Sequence, residues 1–224
     1  MTSGQLRSKR ARAPADKSER RAAIVRAAEA LLHRNPAADF TVQALARRAG
    51  LAKGTVYLYF GSREEVLLAL HEKQIHALFE VLESTLAAPG ADAGSVVRAG
   101  LEHHAAHPEF YPLAGNCRAL LDSNVCERAA VAFRAGLAQR IAAIGERIEG
   151  LYQGLQRGEG AALLMNSYAL IIGLWQQADT PRVLRRAMQR PEMAIYRIDF
   201  PRQLEAALLD LWQSAERRGA RSQA

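Results

Sequence analysis

The sequence predicts an all-α protein of about nine helices, with a three-helix amino-terminal bundle followed by a larger helical body. Three observations carry this. Ala, Leu and Arg dominate, β-branched residues are sparse, and no strand-like alternation stands out. Apolar residues recur at three- and four-residue spacing, the period of a helix with one buried face. Gly, Pro and Asn punctuate the chain where those stretches stop.

Residues 1–17 are basic, Ala/Ser-rich and unpatterned, and read as a flexible arm. Two readings stay open for it: an arm that follows a minor groove, or a tail that touches nothing. A helix is expected over residues 18–33, with Ile24, Ala27, Ala28, Leu31 and Leu32 on its apolar face and Asn35-Pro36 as its stop.

The stretch from Thr41 to Arg63 reads as two short helices around a tight turn. Thr41 is suited to cap the first, its hydroxyl accepting an orphan amide. Val42, Leu45, Ala46 and Ala49 fall at i, i+3, i+4 and i+7. Gly50 follows, where a helix stop with positive φ is cheapest. A second helix over residues 53–60 carries Val56 inward. A small residue, a turn glycine and a branched apolar residue at Ala46, Gly50 and Val56 meet the packing needs of a helix-turn-helix. The stretch holds four basic residues (Arg47, Arg48, Lys53 and Arg63) and no acid. An ordinary helical hairpin has no need of both features.

The residues after the turn carry a resemblance. The run from Gly54 to Phe60, then Gly61-Ser62-Arg63-Glu64-Glu65-Val66-Leu67, resembles the recognition helix and next helix start of the TetR family of transcriptional regulators. Thr41-Val42, Leu45-Ala46 and Ala49-Gly50 match as well. The resemblance covers about residues 20–70 and is only architectural beyond them. Arg63 stands where the family more often has Lys, and either can hold a phosphate. The resemblance implies DNA contact by Thr41, Gln43, Lys53, Thr55, Tyr57, Tyr59 and Arg63. Their chemistry is compatible: Lys53 and Thr55 open the second helix, Tyr57 lies one turn on, and Thr41 and Gln43 sit where free amides favour a phosphate. Tyr57 and Tyr59 also have a competing reading as packing residues.

Division of the chain follows: a DNA-binding domain over residues 18–65, an effector-binding and dimerisation domain over 66–217, and a tail over 218–224. A helix over 62–86 opens with a capping box from Ser62 to Glu65. Val66, Leu70, Ile75, Leu78, Phe79 and Leu82 stripe it, and Pro89-Gly90 breaks it. It starts in one domain and ends in the other, so it reads as the mechanical connector. Further helices are expected over 91–106, 109–121 and 125–155, the last loosened at Gly136 and Gly145. A helix over 161–178 is apolar on almost every side, and one over 201–217 buries Leu204, Leu208, Leu211 and Trp212. Residues 179–199, with Pro181 and Pro191, are irregular or hold a short helix. The 161–178 and 201–217 helices are expected to form a four-helix homodimer interface.

The net charge of +7 is uneven: +5 over residues 1–21, +4 over 41–63 and −4 over 64–215. A polyanion partner for the amino-terminal end is the natural inference. Two cysteines do not make a disulfide framework. The amino terminus lacks an apolar signal segment. The apolar run from Ala161 to Trp175 is shorter than the roughly 20 residues that span a bilayer. The expectation is a soluble, cytoplasmic protein with reduced thiols and no membrane partner.

His103, His104 and His107 lie close, and Cys117 is a possible fourth ligand. HxxxH alone is a weak signal, and capping or solvation before Pro108 is simpler, so no metal and no cofactor are expected. No GxSxG, P-loop or GxGxxG is present, and the chain reads as no enzyme.

Phe79, His104, Phe110, Tyr111, Asn116, Cys117, Leu120, Phe133, Tyr168 and Trp175 mix apolar and polar character in the second domain. Such residues build either a small-molecule pocket or a filled core. The family resemblance favours the pocket. The resulting expectation is a repressor that binds a palindromic DNA operator as a homodimer and is released by a small-molecule effector. The alternative is a constitutive or architectural DNA-binding protein whose second domain is packed and ligand-free.

Overall fold

The computed structural model describes residues 3–34, 40–152 and 154–221, with side chains described over 16–34, 40–152 and 154–218. Its described residues form nine α-helices and three short 3-10 turns, with no strand. The expected all-α class is observed.

Helix α1 (Ser3–Arg34) begins fifteen residues before the expected start at 18. The stretch read as an arm is rich in Ala, Arg and Lys, which lose little entropy in a helix. Its lack of an apolar stripe hid it from a reading based on periodicity. Ile24, Val25, Ala27, Ala28 and Leu32 bury the other end. The expected Asn35-Pro36 stop, like residues 1–2 and 222–224, lies outside the described residues.

Helix α2 (Val42–Ala49) is closed at both ends as expected. Thr41 Oγ1 accepts from Ala44 N at 3.1 Å. Gly50 takes φ 69°, and two backbone bonds seal the turn: Gly50 N to Arg47 O at 3.3 Å and Leu51 N to Ala46 O at 2.9 Å. That pairing needs a left-handed residue, which glycine adopts without a Cβ penalty. Helix α3 (Lys53–Tyr57) is shorter than the expected 53–60. Its end tightens, with Tyr59 N and Phe60 N both donating to Val56 O at 3.0 Å.

Helix α4 (Arg63–Leu86) starts at Ser62, whose Oγ accepts from Glu65 N at 3.1 Å. Glu65 reaches back one residue further than a capping box requires, taking Gly61 N at 2.8 Å. Its second oxygen accepts from Cys126 N at 3.3 Å, just before α7. Burial alone would raise this carboxyl, but the hydrogen bonds from Gly61 and Cys126 and the charge of Arg128 together hold it below its ordinary value.

Helix α5 (Ala93–Ala106) carries a full capping box between Asp92 and Ser95. Helices α6 (Phe110–Leu121), α7 (Glu127–Leu151), α8 (Glu159–Ala178) and α9 (Phe200–Arg221) complete the fold. Helix α7 passes unbroken through Gly136 and Gly145. The 179–199 segment holds the three 3-10 turns. No helix among the described residues is long and apolar enough to cross a membrane.

Two apolar cores result. The first joins α1, α2 and α3 to Val66, Leu67 and Leu70 of α4, and takes in Leu113 and Leu120 of α6. The second holds Leu68, Ile75, Phe79, Leu82 and Leu86 of α4 together with α5 to α9. Helices α8 and α9 pack on each other within one chain, and Trp212 Nε1 donates to Ser167 Oγ at 3.0 Å. Leu163, Leu164, Ile171, Leu204, Leu208 and Trp212 are therefore already buried, which leaves a narrower apolar surface on these two helices than the sequence suggested.

Helices α7 and α8 cross at Gly145 and Gly160. A Cβ on Gly160 would stand 2.1 Å from Gly145 O, and one on Gly145 would stand 2.6 Å from Ala161 N. Both neighbours are backbone and cannot rotate away. Gly160→Ala should lower unfolding free energy by about 1–3 kcal/mol, the usual cost of overpacking. Gly100→Ala on α5 meets open space and should instead add about 0.5–1 kcal/mol. Denaturant melts of the two variants check the contrast.

Candidate nucleic-acid interface and ligand cavity

The amino-terminal surface is built by α2, α3 and the start of α4. Val56 is buried, so the α3 residues around it turn outward. Lys53 is exposed, Thr55 is half-buried and Tyr57 is 47% exposed. Thr41 and Gln43 are exposed at the amino end of α2, with Arg47 and Arg48 exposed further along it. The Thr41 hydroxyl is occupied by its capping bond. Arg63 is half-buried and its Nε lies 3.2 Å from Glu64 Oε1. Tyr59 differs from Tyr57. It is half-buried, packs against the first core, and lines a small cleft with Arg21 and Glu65. Leu58, not singled out from the sequence, is 77% exposed beside Tyr57. Arg21 of α1 stacks over Phe60, its guanidinium carbon 4.8 Å from the ring centre.

A cavity of about 520 Å³ lies inside the second core. Phe79, His104, Phe110, Cys117, Phe133 and Tyr168 line it, as the pocket reading expected. Four other expected lining residues lie elsewhere. Tyr111 turns to Phe200, edge to face at 5.1 Å. Asn116 is exposed and its Nδ2 donates back to Pro112 O at 2.8 Å. Leu120 faces the first core. Trp175 covers Gly115, where a Cβ would meet its ring at 2.4 Å. On one helix, neighbours such as Cys117 and Leu120 serve opposite cores, which a list of residue types cannot resolve.

Residues missed in the sequence include Leu164 and Ile171 of α8, Leu208 and Trp212 of α9, and Arg134 of α7. The first four carried an apolar signal but were assigned to an interface between chains. Arg134 is exposed while still lining the cavity.

The polar groups of the cavity are few and mostly neutral. His104 is buried, with its ring 4.4 Å from that of Phe110. Burial, helped by the charges of His103 and His107, pushes its pKa down to about 3. Behind the wall, His71 is fully buried with Nε2 3.1 Å from Tyr168 Oη. Burial, then the Arg134 charge, pushes its pKa down to about 4. Burial also raises the Tyr168 phenol and the Cys117 thiol above their ordinary values. At neutral pH the buried part of the wall is therefore uncharged, and exposed Arg134 brings the cation. The histidines and Cys117 once weighed as a metal set do not converge, since His104 stands over Phe110 while His107 turns to Glu109.

Comparison with known proteins covers both parts of the chain. Residues 24–70 match the family model for bacterial regulatory proteins of the tetR family. Residues 72–218 match the tetracyclin repressor-like, C-terminal domain. The HTH-type transcriptional regulator EthR of Mycolicibacterium smegmatis is 35% identical over 103 residues, which is 45% of this chain and 48% of that protein. EthR of Mycobacterium tuberculosis is 42% identical over 74 residues, 33% of this chain and 34% of that protein. The matched stretches thus span at most about half the length of these relatives.

The two buried histidines give acid sensitivity. Their folded pKa values lie below the ordinary 6.5, so the unfolded chain binds more protons once pH falls below that value. Stability should be full above pH 6.5 and decline as pH falls towards about 4, by about 1.4 kcal/mol per pH unit for each histidine. Denaturant melts at several pH values should show this decline, and a smaller slope in His71→Leu.

Proposed function

The chain belongs to the tetR family of bacterial regulatory proteins, and from that premise we propose that it is a ligand-released repressor that binds a palindromic DNA operator as a homodimer. The observation that carries this reading is α4. One continuous helix is capped directly after α3 at Ser62, and its far half supplies Ile75, Phe79 and Leu82 to the cavity wall.

We divide the chain into a DNA-binding domain over residues 18–65 and an effector and dimerisation domain over 66–217, and the amino-terminal core reaches across that boundary to Val66, Leu67 and Leu70 of α4 and to Leu113 and Leu120 of α6. In the DNA-binding domain, Lys53, Thr55 and Tyr57 read base edges or hold phosphates from α3. Leu58 offers an apolar contact to a thymine methyl. Thr41, Gln43 and Arg63 flank them on the phosphate backbone, with Tyr59 at the edge of the same surface. The positive charge over residues 41–63 favours this surface for a polyanion.

The effector is an apolar or weakly polar small molecule. It fills the cavity lined by α4 to α9, where almost every lining group is uncharged. A carboxylate or other anionic end is accommodated only at Arg134. The dimer uses the outward faces of α8 and α9, where Leu170, Leu174 and Leu211 are half-exposed. A two-fold dimer sets its α3 helices one DNA turn apart, about 34–36 Å.

Tyr57→Ala tests the DNA surface. On duplexes selected by the protein from a random-sequence pool, it should weaken binding by about 1–3 kcal/mol, the scale of one good contact. The melting temperature should stay close to that of the parent chain, because the side chain is half-exposed. Gel-shift titration alongside a thermal melt checks both.

A further inference from the structure

Glu109 stands just before α6 with its side chain 0% exposed. A carboxylate so placed needs a compensating charge and filled lone pairs. Its Oε1 accepts from Gln74 Nε2 at 2.9 Å, and His33 Nδ1 donates to its Oε2 at 3.2 Å. His107 Nδ1 lies 3.6 Å from Oε1. Among the described residues its ion-pair partners are all histidines.

A second carboxylate adjoins it. Ligand atoms of Glu29, His107 and Glu109 all lie within 4.8 Å of one another. Glu29 precedes His33 by one turn of α1, so both project from the same face. Lys73 Nζ, 2.6 Å from Glu29 Oε2, answers one of the two negative charges. Two carboxylates brought this close, one of them wholly buried, with two imidazoles beside them, are a donor set for a small hard-to-borderline cation.

We propose that this corner, where α1 meets the α5–α6 junction, is a divalent-cation site of the zinc class formed by Glu29, His107 and Glu109, with His33 as fourth donor. Nitrogen and oxygen donors at about 2.0–2.2 Å in a tetrahedron stand roughly 3.4 Å apart, so the Glu29, His107 and Glu109 atoms need only a modest contraction, while the exposed His33 ring must turn in to complete the set. The movable members are the accessible ones. His33 is 58% exposed and His107 is 37% exposed, which also opens a route for the ion. Glu109 is the fixed member, held by Gln74. Binding displaces the proton that His33 now donates, as metal binding to imidazole does generally. The site joins α1, which belongs to the first core, to a corner packed on the second, so the cation clamps the two bodies. It is independent of the effector reading. The competing account is a hydrogen-bonded network in which the histidines alone balance Glu109.

The test is zinc calorimetry and cobalt absorption on the full chain carrying Cys126→Ser, because Cys126 is an exposed competing thiol. One zinc per chain should bind, with a raised melting temperature and tetrahedral cobalt bands that lack a thiolate component. Glu29→Gln and His107→Ala should each weaken binding by at least the about 10–100-fold that loss of a supporting partner costs. These two side chains are partly exposed, so folding survives the changes, and Glu109→Gln adds a third measurement. His103→Ala, whose ring stacks 4.7 Å from that of His107 without belonging to the set, should bind zinc as the parent does. Absence of saturable binding, or equal affinity in Glu29→Gln, His107→Ala and the parent, would overturn the site and leave the hydrogen-bonded network in its place.

Discussion

The structure depends on a single helix that two cores must share. Helix α4 places Val66, Leu67 and Leu70 in the amino-terminal core and Ile75, Phe79, Leu82 and Leu86 in the larger one. Its 24 residues make a rod about 36 Å long. Neither core can close without it, and neither can move along it freely. The cap at Ser62 fixes where the rod begins relative to α3, and Glu65 ties that same end to the start of α7 through Cys126 N. Phe79 of the cavity wall therefore lies on the same rod as that doubly tied amino-terminal end.

The cavity lies among the helices of that larger core. Helices α7 and α8 approach until Gly145 and Gly160 touch, and Trp175 presses on Gly115. Large cavities cost stability in proportion to their volume. A chain that keeps such an apolar cavity in its larger core accepts part of that cost, which a bound apolar molecule would offset. Neutral His71 and His104 beside it avoid the larger cost of a buried charge.

The amino-terminal surface was legible in the sequence because its rules are local. The Thr41 cap, the positive-φ Gly50 and the inward Val56 each act within a few residues, and all three stand as read. The helical class and most element bounds were legible for the same reason. Helix α1 was misread at its start because propensity without an apolar stripe leaves no periodic trace. The cavity was only half legible. Phe79, His104 and Phe133 line it, whereas Leu120 and Trp175 do not, and the difference rests on which neighbour each meets across the fold. The Glu29, His107 and Glu109 cluster left no spacing signal at all, since its members come from α1 and from the α5–α6 corner, far apart in the chain.

If α4 couples the cavity to the DNA-binding surface, the coupling must be reciprocal, because it is a difference in binding free energy between two states. The most direct measurement is the affinity of a cavity ligand, found by thermal shift with apolar compounds, in the presence and absence of saturating operator DNA. The account predicts weaker ligand binding on DNA by about 5–150-fold, equal to the factor by which the ligand weakens DNA binding. Equal ligand affinity with and without operator would contradict it, and would leave a DNA-binding protein whose cavity has no part in regulation.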